Sequence, residues 1–247
     1  MSSIVYTHAC FLAFVAIAVY AQNLTGFALA LVLLGLVGLT DLVPLTDAVN
    51  AVTVLIIVNA AVFLYRRRPI RLEPAIKPTV IASLVGTVLG MAILAFLAAH
   101  AFSVLKTLLG LCIIACALLL WRSVTPYPVA SGPRYFTLVG SFSGVLGGIF
   151  SAAGPPLVYA VYRQPWPIGI IQESLIFCFG VGAVFRLAVM GLSGLVSAQA
   201  VLLALEAIPV VFLITFLTAN MTPPLSKKTL QNVVCMLLVC AGAGMLI

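Results

Sequence analysis

Two polar interruptions in otherwise apolar sequence are the places where this chain could bind a solute. The first break, "AQNLTGF" (residues 21–27), interrupts the apolar stretch 4–39, and the second break, "SAAGPP" (residues 151–156), interrupts the stretch 135–163. Irregular backbone at membrane depth is tolerated only when it is buried in protein or lines a wet cavity. Helices that begin after such breaks point their partly positive N-terminal ends at a bound solute. The breaks therefore predict a midplane site for a small anionic substrate.

Neutral side chains and one arginine supply the candidate walls of this site. Gly154 permits a positive φ or a close approach, and Pro155 suits the first turn of the helix that follows. Arg186 offers a fork of donors that suits a sulfonate or a carboxylate, or else it snorkels and serves only as an anchor. For each break the alternative is a kink in a packed helix. The candidate substrate-binding residues are Gln22, Asn23, Thr25, Gly26, Asn50, Ser151, Gly154, Pro155, Gln172 and Arg186.

Three carboxylates fall within apolar segments and are candidates for coupling transport to protons. A carboxylate inside a span is costly and indicates function by default. Glu206 is the deepest, about ten residues into the apolar run 197–218. Asp47 and Glu173 lie near the starts of two other runs and, on the predicted topology, near opposite faces of the membrane. Alternatively, Asp47 and Glu173 are helix-start residues that the helix dipole favours, and Glu206 belongs to a buried pair.

The elements that must position these residues are membrane helices. Of 247 residues, 64% are hydrophobic and 7% are charged, with a mean hydropathy of +1.30. Soluble domains carry about 25% charged residues. The sequence therefore predicts an all-α, polytopic membrane protein. The two interrupted stretches are predicted to form broken or re-entrant hairpins, because their arms of roughly 11 to 18 residues are short for a full span. Six uninterrupted spans are predicted at 45–65, 76–98, 103–121, 168–186, 197–218 and 226–246.

Basic residues orient the helices. A loop with four arginines and a lysine between 66 and 77 is predicted to be cytoplasmic, because Lys and Arg are in excess on that side. Ten of the twelve basic residues then lie inside, with only Lys106 and Arg186 outside, and both termini are non-cytoplasmic. The N-terminus lacks a basic region and is taken as part of the mature chain. Because the net charge of +7 is spread between spans, no nucleic acid partner is expected.

The two halves of the chain share one pattern. A first repeat (1–121) and a second repeat (135–247) each hold a broken hairpin and three spans, joined by a cytoplasmic linker (122–134). The predicted topology makes the first hairpin open outward and the second open inward. Two inverted repeats around an axis in the membrane plane are a recurrent plan of secondary transporters.

The segment "GSFSGVLGGIFSAAGPPLVYAVY", the paired glycine-containing breaks and "SLVGTVLGMAIL" resemble the sulfite exporter TauE/SafE family of bacterial membrane transporters. The resemblance covers essentially the whole chain. It implies a bacterial inner (cell) membrane protein that moves small organic or inorganic anions such as sulfite, sulfonates or related carboxylates. In the first half, "QNLTGF" stands where the family usually has a richer glycine run.

The function predicted from these features is that of a secondary anion transporter working by alternating access, with export favoured and protons as the coupling ion. An anion or proton channel would need a continuous polar lining, whereas an intramembrane enzyme would need a catalytic motif such as HExxH or GxSxG. A structural subunit is the third alternative.

No cofactor or metal site is predicted, since the six cysteines lie in apolar runs and the two histidines stand near membrane edges without ligand-spaced partners. Four-spaced glycines are expected to pack helices closely, and a homodimer is left open. These glycines are Gly86, Gly90, Gly140, Gly144 and Gly148.

Overall fold

The computed structural model is helical throughout the part of the chain that it describes, with no strand there. The described residues are 2–121, 126–151, 154–194, 197–220, 235, 236, 238–240, 242 and 243. The helices bounded within them are α1 (Ser2–Thr25), α2 (Leu29–Thr40), α3 (Leu45–Arg66), α4 (Ile76–His100), α5 (Phe102–Trp121), α6 (Pro133–Phe150), α7 (Gly154–Tyr162), α8 (Ile168–Leu192) and α9 (Ala198–Thr218). The all-α fold class is confirmed.

Five of these helices are long and apolar enough to cross a membrane. They are α3, α4, α8, α9 and the part of α1 from Tyr6 to Thr25. Four of the predicted spans thus coincide with α3, α4, α8 and α9, and α5 matches the predicted run 103–121. The sixth predicted span, 226–246, lies largely outside the described residues. Residues 122–125 of the predicted linker also lie outside them. The chain is a multi-pass membrane protein.

Both predicted breaks interrupt the helices. The first break separates α1 from α2, and the second separates α6 from α7. Gly26 has φ 86°, Ser151 has φ 56° and Gly154 has φ 58°, a left-handed conformation that ends a helix and that glycine adopts at little cost. The chain thus turns at each break, and a short helix of 12 residues (α2) or 9 residues (α7) follows.

Two expectations about helix length are wrong. Helix α1 has 24 residues, about 36 Å at 1.5 Å per residue, so it is a full span rather than a short arm. Helix α8 does not stop at 186 but continues to Leu192, because the sequence "LAVMGL" after Arg186 stays apolar. Arg186 therefore lies within a membrane-spanning helix and not on the far side of the membrane.

Helices α4 and α6 pack against each other along their glycines. A Cβ added at Gly140 would lie 2.4 Å from the Thr79 carbonyl oxygen, and one added at Gly144 would lie 2.2 Å from that of Ser83. These distances leave no room for a side chain, so the backbones are in direct contact. The expected packing role is confirmed here, and the same closeness holds at Gly86, Gly90 and Gly148.

The short helices are enclosed by the long ones. Every residue of α2 from Leu29 to Gly35 is buried, and α2 packs against α1, α3 and α5. Helix α7 packs against α5, α6 and α8. A helix of 9 or 12 residues is too short to span a bilayer, which needs about 20, and each of these two begins inside the protein beside α3 and α8. That is where the two breaks meet.

Candidate anion site

Residues of both breaks line one small cavity, named here the break cavity. Gln22 and Phe27 come from the first break, and Ser151 and Gly154 from the second. The remaining walls are apolar and come from α2, α3, α7 and α8: Ala30, Leu31, Ile56, Val158 and Phe179. The cavity measures about 10 Å³, room for about one water molecule. The two breaks therefore converge, as a shared site requires.

Side chains of both halves satisfy the backbone groups freed at the first break. The Gln22 Oε1 atom accepts a hydrogen bond from the Leu29 amide at 2.8 Å and so caps the start of α2. Gln172 Nε2 donates to the Leu24 carbonyl at 2.7 Å, and the Tyr162 hydroxyl donates to the Thr25 carbonyl at 2.7 Å. The polar side chains here stabilise the break itself, which has no water to bond in a bilayer.

The second break is fixed to α3. The Ser151 hydroxyl donates to the Val49 carbonyl at 3.0 Å and lies 2.6 Å from the Thr53 hydroxyl. Ser151 is 8% exposed, so these bonds hold a buried polar group in place. Thus the first break contacts α8 through Gln172, and the second contacts α3 through Val49 and Thr53.

Arg186 is a buried cation next to the second break. It is 1% exposed, which excludes the snorkelling interpretation. Its Nε atom donates to the Gly148 carbonyl at 3.1 Å, and its Nη2 atom donates to Asn50 Oδ1 at 3.3 Å. Its Nη1 atom donates to two acceptors, Thr53 Oγ1 at 2.5 Å and Met190 Sδ at 2.8 Å. These four bonds leave one of the five guanidinium N–H groups free of described partners.

No carboxylate pairs with Arg186 among the residues that the structure describes; the ion pairs found there are His8–Glu206 and Lys106–Asp41. All four of its hydrogen-bond acceptors are neutral. Removing a charge from water is costly unless an opposite charge or a set of hydrogen bonds compensates it. The positive charge of Arg186 is therefore solvated by dipoles alone.

A second cavity, named here the arginine cavity, lies beside this guanidinium between α4, α6 and α8. It measures about 30 Å³, and its polar wall consists of Ser83, Thr87, Ser143, Ser151 and Arg186. The Ser143 hydroxyl is fully buried and has no hydrogen-bond partner among the described residues. The other lining residues are Gly144, Gly147, Leu157, Cys178, Phe179, Gly182 and Ala183. The hydroxyl groups of Ser83, Thr87 and Ser151 already donate to backbone carbonyls. The donors that this cavity offers to a solute are therefore the guanidinium and the Ser143 hydroxyl.

Three of these hydroxyl residues were not predicted from the sequence. Ser83 and Thr87 stand four residues apart on α4, and Ser143 precedes a glycine on α6. The glycines of α4 and α6 are predicted only to pack these helices closely, although the three hydroxyl residues lie at the same helix interface. The sequence feature that could have identified them is the recurrence of Ser and Thr at helical spacing beside those glycines.

Asn23 belongs to a different polar cluster. Its Nδ2 atom donates to Thr218 Oγ1 at 2.8 Å, and its Oδ1 atom accepts from Asn59 Nδ2 at 2.8 Å. Asn59 also donates to Thr215 Oγ1 at 2.8 Å. This cluster joins α1, α3 and α9, and Asn23 lines neither cavity.

The three candidate coupling carboxylates line neither cavity. The Ser197 hydroxyl donates to Asp47 Oδ1 at 2.5 Å, and the Arg71 amide donates to Glu173 Oε2 at 2.9 Å. Glu206 Oε2 lies 2.5 Å from His8 Nδ1, so these two side chains form a pair. Among the described residues, no group of three or more His, Cys, Asp or Glu side chains could hold a metal ion.

Comparison with known proteins agrees with this architecture. The profile of the sulfite exporter TauE/SafE family matches residues 10–245. The chain belongs to this family. It is 30% identical over 232 residues to the "Probable sulfite/organosulfonate exporter TauE" of Cupriavidus necator (strain H16), a match that covers 92% of this chain and 89% of that protein. No solved structure matches the chain.

Membership places the chain in a family of membrane transporters, in agreement with the expectation from the breaks. The family segment that contains the second break, "GSFSGVLGGIFSAAGPP", forms α6 and the start of α7. That segment supplies Ser143 and Ser151 to the arginine cavity and the Gly148 carbonyl to Arg186.

Proposed function

We propose that this protein is a secondary transporter that carries small oxyanions across the bacterial inner membrane and binds them at Arg186. The observation that supports this is a fully buried guanidinium without a described carboxylate partner, at the wall of a cavity lined by hydroxyls. An anion in that cavity would neutralise the buried charge, and so the free energy that burial costs is recovered on binding.

The donors present suit a sulfite, sulfonate or carboxylate group. A guanidinium presents planar N–H groups that match such oxyanions, and charge-assisted hydrogen bonds are about twice as strong as neutral ones. In the part of the chain that the structure describes, one N–H group of Arg186 and the Ser143 hydroxyl have no partner. The relative from Cupriavidus necator carries sulfite and organosulfonate in its name, which supports the same substrate class and export as the direction.

Matching contacts in the two halves support an inverted repeat with units 1–121 and 135–247. In this comparison α1, α3 and α4 of the first repeat correspond to α6, α8 and α9 of the second. Helices α1 and α3 both pack against α9, and their counterparts α6 and α8 both pack against α4. Asp47 on α3 bonds to the loop before α9, whereas Glu173 on α8 bonds to the loop before α4. Such crossed contacts let one unit rock against the other around a fixed site, which is the basis of alternating access. Asp47 and Glu173 would act in this motion by holding or releasing their loops.

The His8–Glu206 pair is the proposed proton carrier. The two side chains are partly exposed, His8 by 22% and Glu206 by 33%. A carboxylate within a span indicates a proton pathway. Binding and coupling would then use different residues, with the anion at Arg186 and the proton at Glu206.

The decisive experiment is thermal unfolding of the purified protein with and without sulfite, methanesulfonate and acetate. An anion at 100 times its Kd stabilises the folded state by about 2.7 kcal/mol, which corresponds to a rise of about 5–10 °C for a chain of this size. Arg186→Gln should abolish this rise. Lys106→Gln removes a partly exposed lysine that pairs with Asp41, and it should leave the rise unchanged.

Two results would contradict the proposal. One is that no anion stabilises the wild type; the other is that Arg186→Gln keeps the full response. Counterflow in proteoliposomes separates a transporter from a channel, because only a transporter shows stimulation by anion on the opposite side.

A further inference from the structure

The break cavity and the arginine cavity share two lining residues among those described, Ser151 and Phe179. This hydroxyl and this ring therefore border both spaces. The two cavities differ in character. The arginine cavity has a cation and hydroxyls in its wall, whereas the break cavity is walled mainly by apolar side chains such as Leu31, Ile56 and Val158.

The two shared residues are held in different ways. Ser151 is fixed to α3 by its bonds to Val49 and Thr53, and its backbone is the left-handed end of α6. Phe179 is buried, with 8% of its surface exposed, and only apolar packing holds its ring, because the side chain has no polar atom. It precedes Arg186 by seven residues on α8, two helical turns, so both side chains lie on the same face of that helix.

We infer that Phe179 is a specificity-determining residue, which limits the length of the organic group on the transported anion. This inference rests on the proposed function and deepens it. The charged head of the anion lies at Arg186, and the tail points along α8 toward the apolar break cavity. The Phe179 ring stands between the two spaces and closes the route to all but short tails. The preferred substrates are accordingly compact oxyanions such as sulfite and the shortest sulfonates.

The test is a series of alkanesulfonates from methane- to butanesulfonate, with sulfite as the smallest member. Binding is measured by thermal shift and competition on the purified full chain. In the wild type, affinity should fall as the chain lengthens. Phe179→Ala should reverse the order, with butanesulfonate gaining at least about tenfold over methanesulfonate, since each of its three additional methylene groups can change binding by about tenfold in an apolar pocket.

Two further variants make the result decisive. Phe11→Ala truncates a fully buried phenylalanine of α1 that lines neither cavity, so it controls for loosened packing and should keep the wild-type order. Phe179→Leu retains most of the packing and should show an intermediate shift, which decides the question if Phe179→Ala does not fold.

The outcomes of the two proposals are distinguishable. A wild type that responds to none of these anions contradicts the proposed function itself. A wild type that responds, with the same order of preference in Phe179→Ala and Phe179→Leu, contradicts only the role of Phe179. The same conclusion follows if Phe11→Ala changes the order as much as Phe179→Ala, or if the wild type binds methane- and butanesulfonate equally well.

Discussion

Replacing Gly140 by alanine tests the contact on which the position of the arginine cavity depends. A Cβ at Gly140 would lie 2.4 Å from the Thr79 carbonyl oxygen and 2.8 Å from the Thr79 Cα. Carbon atoms in good contact are about 3.5–4.0 Å apart. The new methyl group thus overlaps α4 by about 1 Å, and because the atoms that it meets belong to the backbone, no side chain can rotate away. Helices α4 and α6 would have to separate.

The magnitude follows from two opposing effects. Overpacking of this kind costs about 1–3 kcal/mol, and the backbone contact places it at the upper end. Alanine gains back up to ~1 kcal/mol over glycine as a helix former. The free energy of unfolding should therefore fall by about 2 kcal/mol, which lowers the unfolding temperature by about 4–8 °C for a chain of this size.

The assay is thermal unfolding of the purified protein in detergent, followed by tryptophan fluorescence. Gly191→Ala is the matched control, because Gly191 lies in α8 and a Cβ there would meet no atom within 4 Å. This control should be neutral or more stable than the wild type by up to ~1 kcal/mol. If Gly140→Ala unfolds at the temperature of Gly191→Ala or above, the backbone contact between α4 and α6 is refuted.

Two further predictions concern binding and coupling. Ser143→Ala should weaken anion binding about tenfold or more, since a hydrogen bond to a charged group contributes ~1.5–3 kcal/mol. The control Ser174→Ala removes another fully buried hydroxyl, which has no partner among the described residues and lines neither cavity, and its affinity in a titration should match the wild type. Equal affinities of the two variants would count against Ser143 as a ligand. Glu206→Gln should abolish accumulation driven by a pH gradient in proteoliposomes yet keep anion exchange, because the amide carries no titratable proton. Asp41→Asn, which alters the Lys106–Asp41 pair, should still follow the gradient, and a Glu206→Gln protein that accumulates anion as the wild type does would rule out this carrier.

The class of the protein, the two breaks and most of the spans are predictable from the amino-acid sequence alone. These features are local. Hydropathy over about 20 residues decides whether a segment crosses a bilayer, and glycine or proline within it decides where the helix stops. The close packing of α4 and α6 was also predictable, since glycines four residues apart form a stripe along one face of a helix.

The way in which the charges are compensated depends on the packing of the helices. Arg186 bonds to Asn50 and Thr53, which are 136 and 133 residues away, and His8 meets Glu206 across 198 residues. The sequence could state that a buried arginine or glutamate needs partners. It could not state which ones, because that depends on the helix faces that pack together. A charge in lipid is a local cost, whereas the groups that offset it are assembled only when helices far apart in sequence come into contact.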